Sequence, residues 1–298
     1  MAVKHGLDWT ILRTIAFVFV TGMAIVCLLP FIMLISSSFT EETEILRNGF
    51  SFWPGEFSLE AYRVVFEFPK RILAGYGVTI FVTVVGTSVS LFIASMTGYV
   101  LQRREMRYRN KLSFLIFFTQ LFSVGLIPQY IMVTRFLGLT DTMLALILPP
   151  LLSPFLVILM RTFIQTSIPP SLVDSAKIDG ANDFKIYLTI ILPLSKAALA
   201  TVGLFTALRY WNDWFHGMLY IRSELKYPLQ FYLYNLLMNA QMIREMANLM
   251  MTSDAQMEVP KESIKMATAL VVTGPILLLY PYVQKYFVTG LTIGAVKG

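Results

Sequence analysis

The sequence predicts an all-α integral membrane protein of about six spanning helices. Three observations carry that prediction. Of the 298 residues, 56% are hydrophobic and only 14% charged, against roughly 25% charge in a soluble domain. The mean hydropathy is +0.66. So little charge cannot cover a soluble surface of this size, and lipid is the expected solvent. Finally, apolar runs long enough to cross a bilayer core, about 20 residues each, recur along the chain. In lipid a helix satisfies its backbone polar groups within one segment. The expected spans are about 14–36, 76–101, 112–134, 142–165, 197–220 and 266–288, within one transmembrane domain covering 1–298.

The first apolar run, Ile15 to Ile35, exceeds the roughly 7–15 residues of a signal-peptide core. No small-residue cleavage pattern follows it, so it reads as a retained span. The single cysteine, Cys27, lies within it and excludes an intrachain disulfide. The second span is followed by the loop 102–111, where Arg103, Arg104, Arg107, Arg109 and Lys111 face one acid, Glu105. Basic short loops stay on the cytoplasmic side. That loop, both termini and the segment 166–196 are therefore expected in the cytoplasm. The net charge of +6 then reads as a topology signal toward the membrane surface, with no call for nucleic acid. Two long outer segments remain, about 38–75 and 221–265. The first contains Glu41, Glu42, Glu44, Trp53 and Pro54, and the second is methionine-rich from Met238 to Met257. Each can cap the outer face or dock an external partner.

In the fourth span, Pro149, Pro150 and Pro154 fall within six residues. Proline removes a backbone donor and clashes with the preceding turn. Either the helix is interrupted, or it begins only after Pro154. In the fifth span, Arg209 and Asp213 are four apart, a spacing that allows an ion pair.

The inner segment Asp174 to Pro193 reads DSAKIDGANDFKIYLTIILP. Pro169 and Pro170 precede it, and Ser171 is a candidate N-cap for a helix over about 172–178. Gly180 permits a tight turn. A second amphipathic helix follows, with Phe184, Tyr187, Leu188 and Ile191 on one face, and Pro193 ends it. Such a helix–turn–helix can seat in a groove of a cytoplasmic partner and carry force. It can equally be an interfacial amphipathic loop.

The same stretch resembles the coupling loop of ABC importer permeases: Glu-Ala-Ala, three residues, Gly, nine residues, Ile, any residue, Leu-Pro. Asp174, Ser175 and Ala176 fill the first three places, Gly180 the glycine, and Ile190, Leu192 and Pro193 the end, with matching spacing. Asp179, Gly180 and Ala181 match the family's Asp-Gly-Ala. The departures are Asp174 for glutamate and Ser175 for alanine. Trp211, Asn212 and Asp213 resemble the Trp-Asn-acid signature of carbohydrate-importer permeases. The C-terminal QKYFVTGLTIGAVKG is similar to the tail of maltose-type permeases. The segment with Phe52, Trp53 and Pro54 is similar to the branch importing polysaccharide-derived oligosaccharides, including uronates such as alginate.

The resemblance implies a permease subunit of a bacterial inner-membrane importer. Its partners would be a second, related permease chain, two cytoplasmic ATPase subunits, an external solute-binding protein, an oligosaccharide and membrane lipid. ATPase coupling would fall to Asp174, Ser175, Ala176, Asp179, Gly180, Ala181, Phe184, Ile190, Leu192 and Pro193. The tail residues Gly294, Val296, Lys297 and Gly298 would make a second contact with the same partner. The substrate path would include Tyr210, Trp211, Asn212, Asp213 and Gln120, since aromatic faces pack on sugar C–H surfaces while amides and carboxylates bond hydroxyls.

No Gly-x-x-x-x-Gly-Lys-Ser/Thr or Gly-x-Gly-x-x-Gly sequence occurs, so ATP and Mg are expected on the partner ATPase subunits and no cofactor in this chain. Neither His-Glu-x-x-His nor Gly-x-Ser-x-Gly is present, which argues against a membrane hydrolase. The alternative is an ion-coupled secondary transporter, which calls for midplane ionisable groups and often a repeat. The spans offer one acid, Asp213, and no clear repeat.

Overall fold

The computed structural model describes residues 7–67, 69–122, 124–250 and 261–295. In chain order the helices are α1 (Leu7–Ser38), α2 (Glu42–Asn48), α3 (Glu60–Glu67), α4 (Pro69–Gln102), α5 (Arg109–Leu121), α6 (Leu126–Ile131), α7 (Met143–Ile147), α8 (Pro154–Ser167), α9 (Pro170–Ile178), α10 (Asp183–Ile186), α11 (Leu192–Leu194), α12 (Lys196–Trp211), α13 (Phe215–Tyr220), α14 (Leu229–Met250) and α15 (Glu262–Ala295). Met132–Phe136 and Tyr187–Ile191 are π-helical turns. Among the described residues, β-structure is limited to one antiparallel bridge between Thr40 and Phe57.

The six expected apolar runs all lie in helices, but only three are continuous. Ile11–Ser38 and Pro69–Gln102 are single helices long and apolar enough to cross a bilayer, and the sixth run lies within α15. The other three runs are broken. The third breaks between Leu121 and Leu126, where Gly125 takes φ +84°. In the fourth, Leu148 to Ser153 separate α7 from α8, which starts on Pro154. The fifth breaks at Asn212 to Trp214, between α12 and α13.

The chain forms two compact units, one from Met1–Pro69 with Asn235–Gly274 and the other from Lys70–Tyr234 with Pro275–Gly298. In the first unit, α1 is apolar all round and exposed, with Phe17 at 70% and Phe19 at 68%. A helix with no polar face needs an apolar medium. Beyond α1, the Glu41 N–H donates to the Glu56 carbonyl at 3.0 Å and the Ser58 N–H to the Phe39 carbonyl at 2.8 Å. The Phe39 ring lies 4.9 Å from that of Tyr62. Glu42 closes the start of α15, accepting the backbone N–H groups of Glu262 and Ser263 at 2.9 Å each. A carboxylate there meets both orphan donors and the positive end of the helix.

The second unit is organised on α4. Its buried face carries Gly75, Gly86, Ser90, Ala94, Ser95 and Gly98, small residues that let helices approach closely in a membrane. At Gly98 a β-carbon would stand 2.9 Å from the backbone nitrogen of Arg161. At Gly86 it would run into the Tyr210 ring. Against α4 packs a core of Val157, Met160 and Ile164 from α8, Val173 from α9, Ile186, Tyr187 and Ile191, and Val202 from α12.

Candidate functional site

The segment 169–195 is a helix–turn–helix whose turn is fixed by three local devices. Pro170 occupies the first turn of α9, where a missing N–H costs nothing. At the other end the Gly180 N–H donates to the Lys177 carbonyl at 3.0 Å and the Ala181 N–H to the Ala176 carbonyl at 2.9 Å. That is a Schellman closure, which requires a left-handed residue, and Gly180 supplies it at φ +78°. The Asn182 side chain then accepts the Lys185 N–H at 2.8 Å and caps α10.

Two local expectations are corrected. Ser171 lies inside α9 and Pro169 is its cap. Pro193 does not end the second arm. It sits inside α11, and an 81° bend falls between Leu194 and Lys196. The turn preceding Pro193 is π-helical, which re-spaces the ladder where proline has no N–H to give. The same π turn splits the expected apolar face. Tyr187 and Ile191 are 1% exposed, whereas Phe184 and Leu188 are 53% and 43% exposed.

The result is a loop with an anchored underside and an open tip. Tyr187 Oη and Ser95 Oγ of α4 are 2.6 Å apart, and the Tyr187 and Tyr99 rings are centred 6.0 Å apart. Ala176, Ala181, Ile190 and Leu192 pack half-buried against the core. Asp174, Ser175, Asp179, Gly180, Phe184 and Pro193 are exposed, and Ile178 is 86% exposed. Glu105, in the adjacent loop, meets Lys177 of α9, and the Lys177 ammonium, then Arg103, hold its carboxyl below the usual carboxylate range.

A second constellation surrounds the broken fourth and fifth runs. The break before α8 frees backbone carbonyls inside the apolar region, where each unsatisfied group is costly. Neighbouring side chains take them up. Tyr210 Oη donates to the Ile147 carbonyl at 2.9 Å, Ser90 Oγ to the Leu151 carbonyl at 2.7 Å, and Arg209 Nη2 to the Pro150 carbonyl. Arg209 is therefore not the ion-pair partner of Asp213. Helix α12 ends at Trp211, so the four-residue helical spacing does not extend to Asp213. Asp213 instead binds the first turn of α13: Oδ1 accepts the His216 N–H at 3.1 Å, and Oδ2 lies 2.6 Å from His216 Nδ1.

Of the expected path residues, Tyr210 and Trp211 are buried, and Trp211 Nε1 has no hydrogen-bond partner among the described residues. Asn212 is exposed, with Gln230 Nε2 3.4 Å from its Oδ1. Gln120 is exposed on α5 and is not brought to this cluster. The structure adds Trp214, Tyr220 and Tyr234, which the sequence reading left out. Trp214 stacks on Tyr234 with ring centroids 4.2 Å apart, and Tyr130 stacks on Tyr220 at 6.0 Å. Hydroxyl-rich ligands with C–H faces suit such paired aromatic and amide surfaces. Among the tail residues, Gly294 lies within α15, while Val296, Lys297 and Gly298 lie outside the described residues.

No family model matches the chain. Individual proteins do. The polygalacturonan/rhamnogalacturonan transport system permease protein YtcP of Bacillus subtilis is 42% identical over 281 residues, covering 94% of this chain and 96% of YtcP. The arabinooligosaccharides transport system permease protein AraQ of Halalkalibacterium halodurans is 28% identical over 98% of this chain and 97% of its own. Among solved structures, a chain of a bacterial ABC transporter involved in the import of the acidic polysaccharide alginate superposes with a TM-score of 0.81. It is 31% identical and covers 96% of this chain and 100% of that one.

Proposed function

We propose that this chain, which belongs to the permease subunits of sugar-importing ABC transporters, moves uronate-containing oligosaccharides inward across the inner membrane at the expense of ATP held by separate subunits. The chain acts as one permease domain over 1–298 with both termini in the cytoplasm. It pairs with a related permease chain, so that the substrate path lies between the two. An external binding protein loads that path from outside, and two ATPase subunits grip the helix–turn–helix from inside.

The observation that carries the reading is the loop at 170–194. Its tip presents Ile178 at 86% exposure beside the left-handed Gly180, while Val173, Ile186, Tyr187 and Ile191 tie its underside to the core. A tip with exposed apolar Ile178 and Phe184, on a base packed into the core, is shaped to enter a partner's groove and pass on its movement. Acidic cargo is favoured because two similar proteins, one named for polygalacturonan and rhamnogalacturonan and one for alginate, handle uronate polymers. In the path, Asn212 is exposed on the surface, and Asp213 with its His216 partner borders the same break, while Gln120 stands apart on α5. Buried Tyr210 and Trp211 support the wall behind them.

The test is uptake into proteoliposomes holding the permease pair, its ATPase and its binding protein. ATP-dependent accumulation of oligogalacturonate or oligoalginate in preference to neutral arabino-oligosaccharides is expected. Accumulation that persists without ATP and collapses with an ion gradient overturns the reading. Gly180→Glu should insert and hydrolyse ATP but lose uptake. At φ +78° any β-carbon is strained, although nothing lies within 4 Å to clash with it. Gly180→Asn, which tolerates that conformation, should therefore keep most of the coupling.

A further inference from the structure

The short loop after α4 reaches across the tip region and holds both arms of the helix–turn–helix. Lys177 Nζ of α9 donates to Glu105 Oε1 at 2.5 Å and to Oε2 at 2.6 Å. Arg103 Nη2 donates to Glu105 Oε2 at 2.6 Å, and Arg103 Nη1 pairs with Asp183 at the start of α10. The four charges form one chain, Lys177–Glu105–Arg103–Asp183, that spans the Gly180 turn from outside. Arg103 follows directly on α4 and its side chain is only 15% exposed. Its guanidinium lies 5.7 Å from the centre of the Tyr99 ring, and Tyr99 in turn packs on Tyr187 of the second arm.

The turn itself has little to stiffen it. Asp179, Gly180 and Asn182 are exposed, and α10 is a single turn of four residues. The apolar underside fixes Val173 and Tyr187 to the core, but it lies on the other side of the loop from the tip. A load on Ile178 could therefore be absorbed by opening the turn. The ionic chain blocks that movement, because opening the turn separates Lys177 from Asp183, and both are tied to one short peptide at the end of α4.

We propose that Glu105 is a positioning residue that locks the two arms of the helix–turn–helix to the end of α4, so that a push on the tip moves α4 with the loop instead of flexing the Gly180 turn. The inference rests on the reading of this loop as the ATPase-contacting element. Glu105 touches neither nucleotide nor substrate, and its effect is on how completely hydrolysis is converted into transport.

The experiment uses the complete importer in proteoliposomes, with ATP hydrolysed per oligosaccharide accumulated as the readout. One exposed ion pair changes an equilibrium by no more than about 5-fold. Glu105→Gln, which breaks both of its pairs, is therefore expected to raise the ratio by about 2- to 5-fold, with the ATPase still co-purifying. Glu105→Asp should restore the ratio at least in part. Lys177→Gln should raise it as well, and the double variant should be no worse than Glu105→Gln alone, since linked residues are non-additive. A residue that only stabilises the fold would lower the yield of inserted protein and leave the ratio of the surviving complexes unchanged. ATP-driven uptake with the same ratio in wild type and Glu105→Gln overturns the inference, as do Glu105 and Lys177 effects that simply add. Should Glu105→Gln fail to insert, an unchanged ratio in Lys177→Gln overturns it alone. Wild-type uptake that needs no ATP overturns the functional reading itself, and this inference with it.

Discussion

At the scale of single residues, the polar side chains inside this protein do two different jobs. Tyr210 looks from the sequence like a sugar contact, yet its hydroxyl is spent on the Ile147 carbonyl at 2.9 Å. Tyr210→Phe should leave that carbonyl unpaired and destabilise the permease by about 1–2 kcal/mol, measured by unfolding in mixed micelles. Its effect on the apparent affinity for sugar should be small. Asp141 is the opposite case, a residue between α6 and α7 that the sequence did not single out. It sits at φ +60° and accepts Lys226 Nζ at 2.8 Å, Ser223 Oγ at 2.6 Å and two backbone N–H groups at 3.0 and 3.1 Å. Lys226 first, then Ser223 and the backbone donors, hold its carboxyl well below the usual carboxylate range. A depressed carboxyl contributes stability that is present above its unfolded pKa and is lost as pH falls through the lower, folded one. Asp141 should therefore hold its loop unchanged between about pH 5 and 8 and release it only in strong acid. Asp141→Asn, which keeps the left-handed conformation but removes the charge, should lower the thermal midpoint of the detergent-solubilised protein across that whole range. A midpoint that depends on Asp141 only below pH 5 would contradict this.

At the scale of elements, continuity and interruption of the helices are the informative property. The sequence shows six apolar runs plainly because lipid demands length and hydrophobicity, and those are compositional. The fourth run left two readings, a broken helix or a late start, and both describe part of what is there. A short α7 precedes the prolines and α8 begins on Pro154. The break in the fifth run was not legible, because Trp211-Asn212-Asp213 contains no proline or glycine. There Asp213 accepts the His216 N–H in the first turn of α13, a contact visible only once the backbone is placed. The helix–turn–helix at 169–195 was legible in its turn residue, Gly180, but not in which side chains face outward. The π turn at Tyr187–Ile191 shifts the register, and simple helical periodicity cannot anticipate that. Packing between elements gives a further prediction. In α4, Gly86 faces the Tyr210 ring, while Gly77 has nothing within 4 Å. Gly86→Leu should destabilise by about 1–3 kcal/mol through overpacking. Gly77→Ala, on an open helix face, should stabilise by up to about 1 kcal/mol. Equal effects at the two positions, measured as unfolding midpoints, would refute the close approach of α4 and α12.

For the whole molecule, the expected orientation rests on the basic loop after α4, and the structure gives that loop a second use as the tie to the helix–turn–helix. Single-cysteine variants at Arg104 and Lys111 should be labelled by a membrane-impermeant maleimide only in inside-out vesicles. Labelling of whole cells at these positions would reverse the assigned topology. The native Cys27 lies exposed on α1, among apolar neighbours, and should react with lipophilic reagents in preference to charged ones. The mended break of the fourth run bears on how such proteins can be recombined. Ser90, Arg209 and Tyr210 come from helices far apart in the chain, yet together they complete the carbonyls of Ile147, Pro150 and Leu151. A chimera that takes residues 143–167 from a related permease inherits the open carbonyls without their donors. Working hybrids should be those in which positions 90, 209 and 210 travel with that segment as one inherited unit.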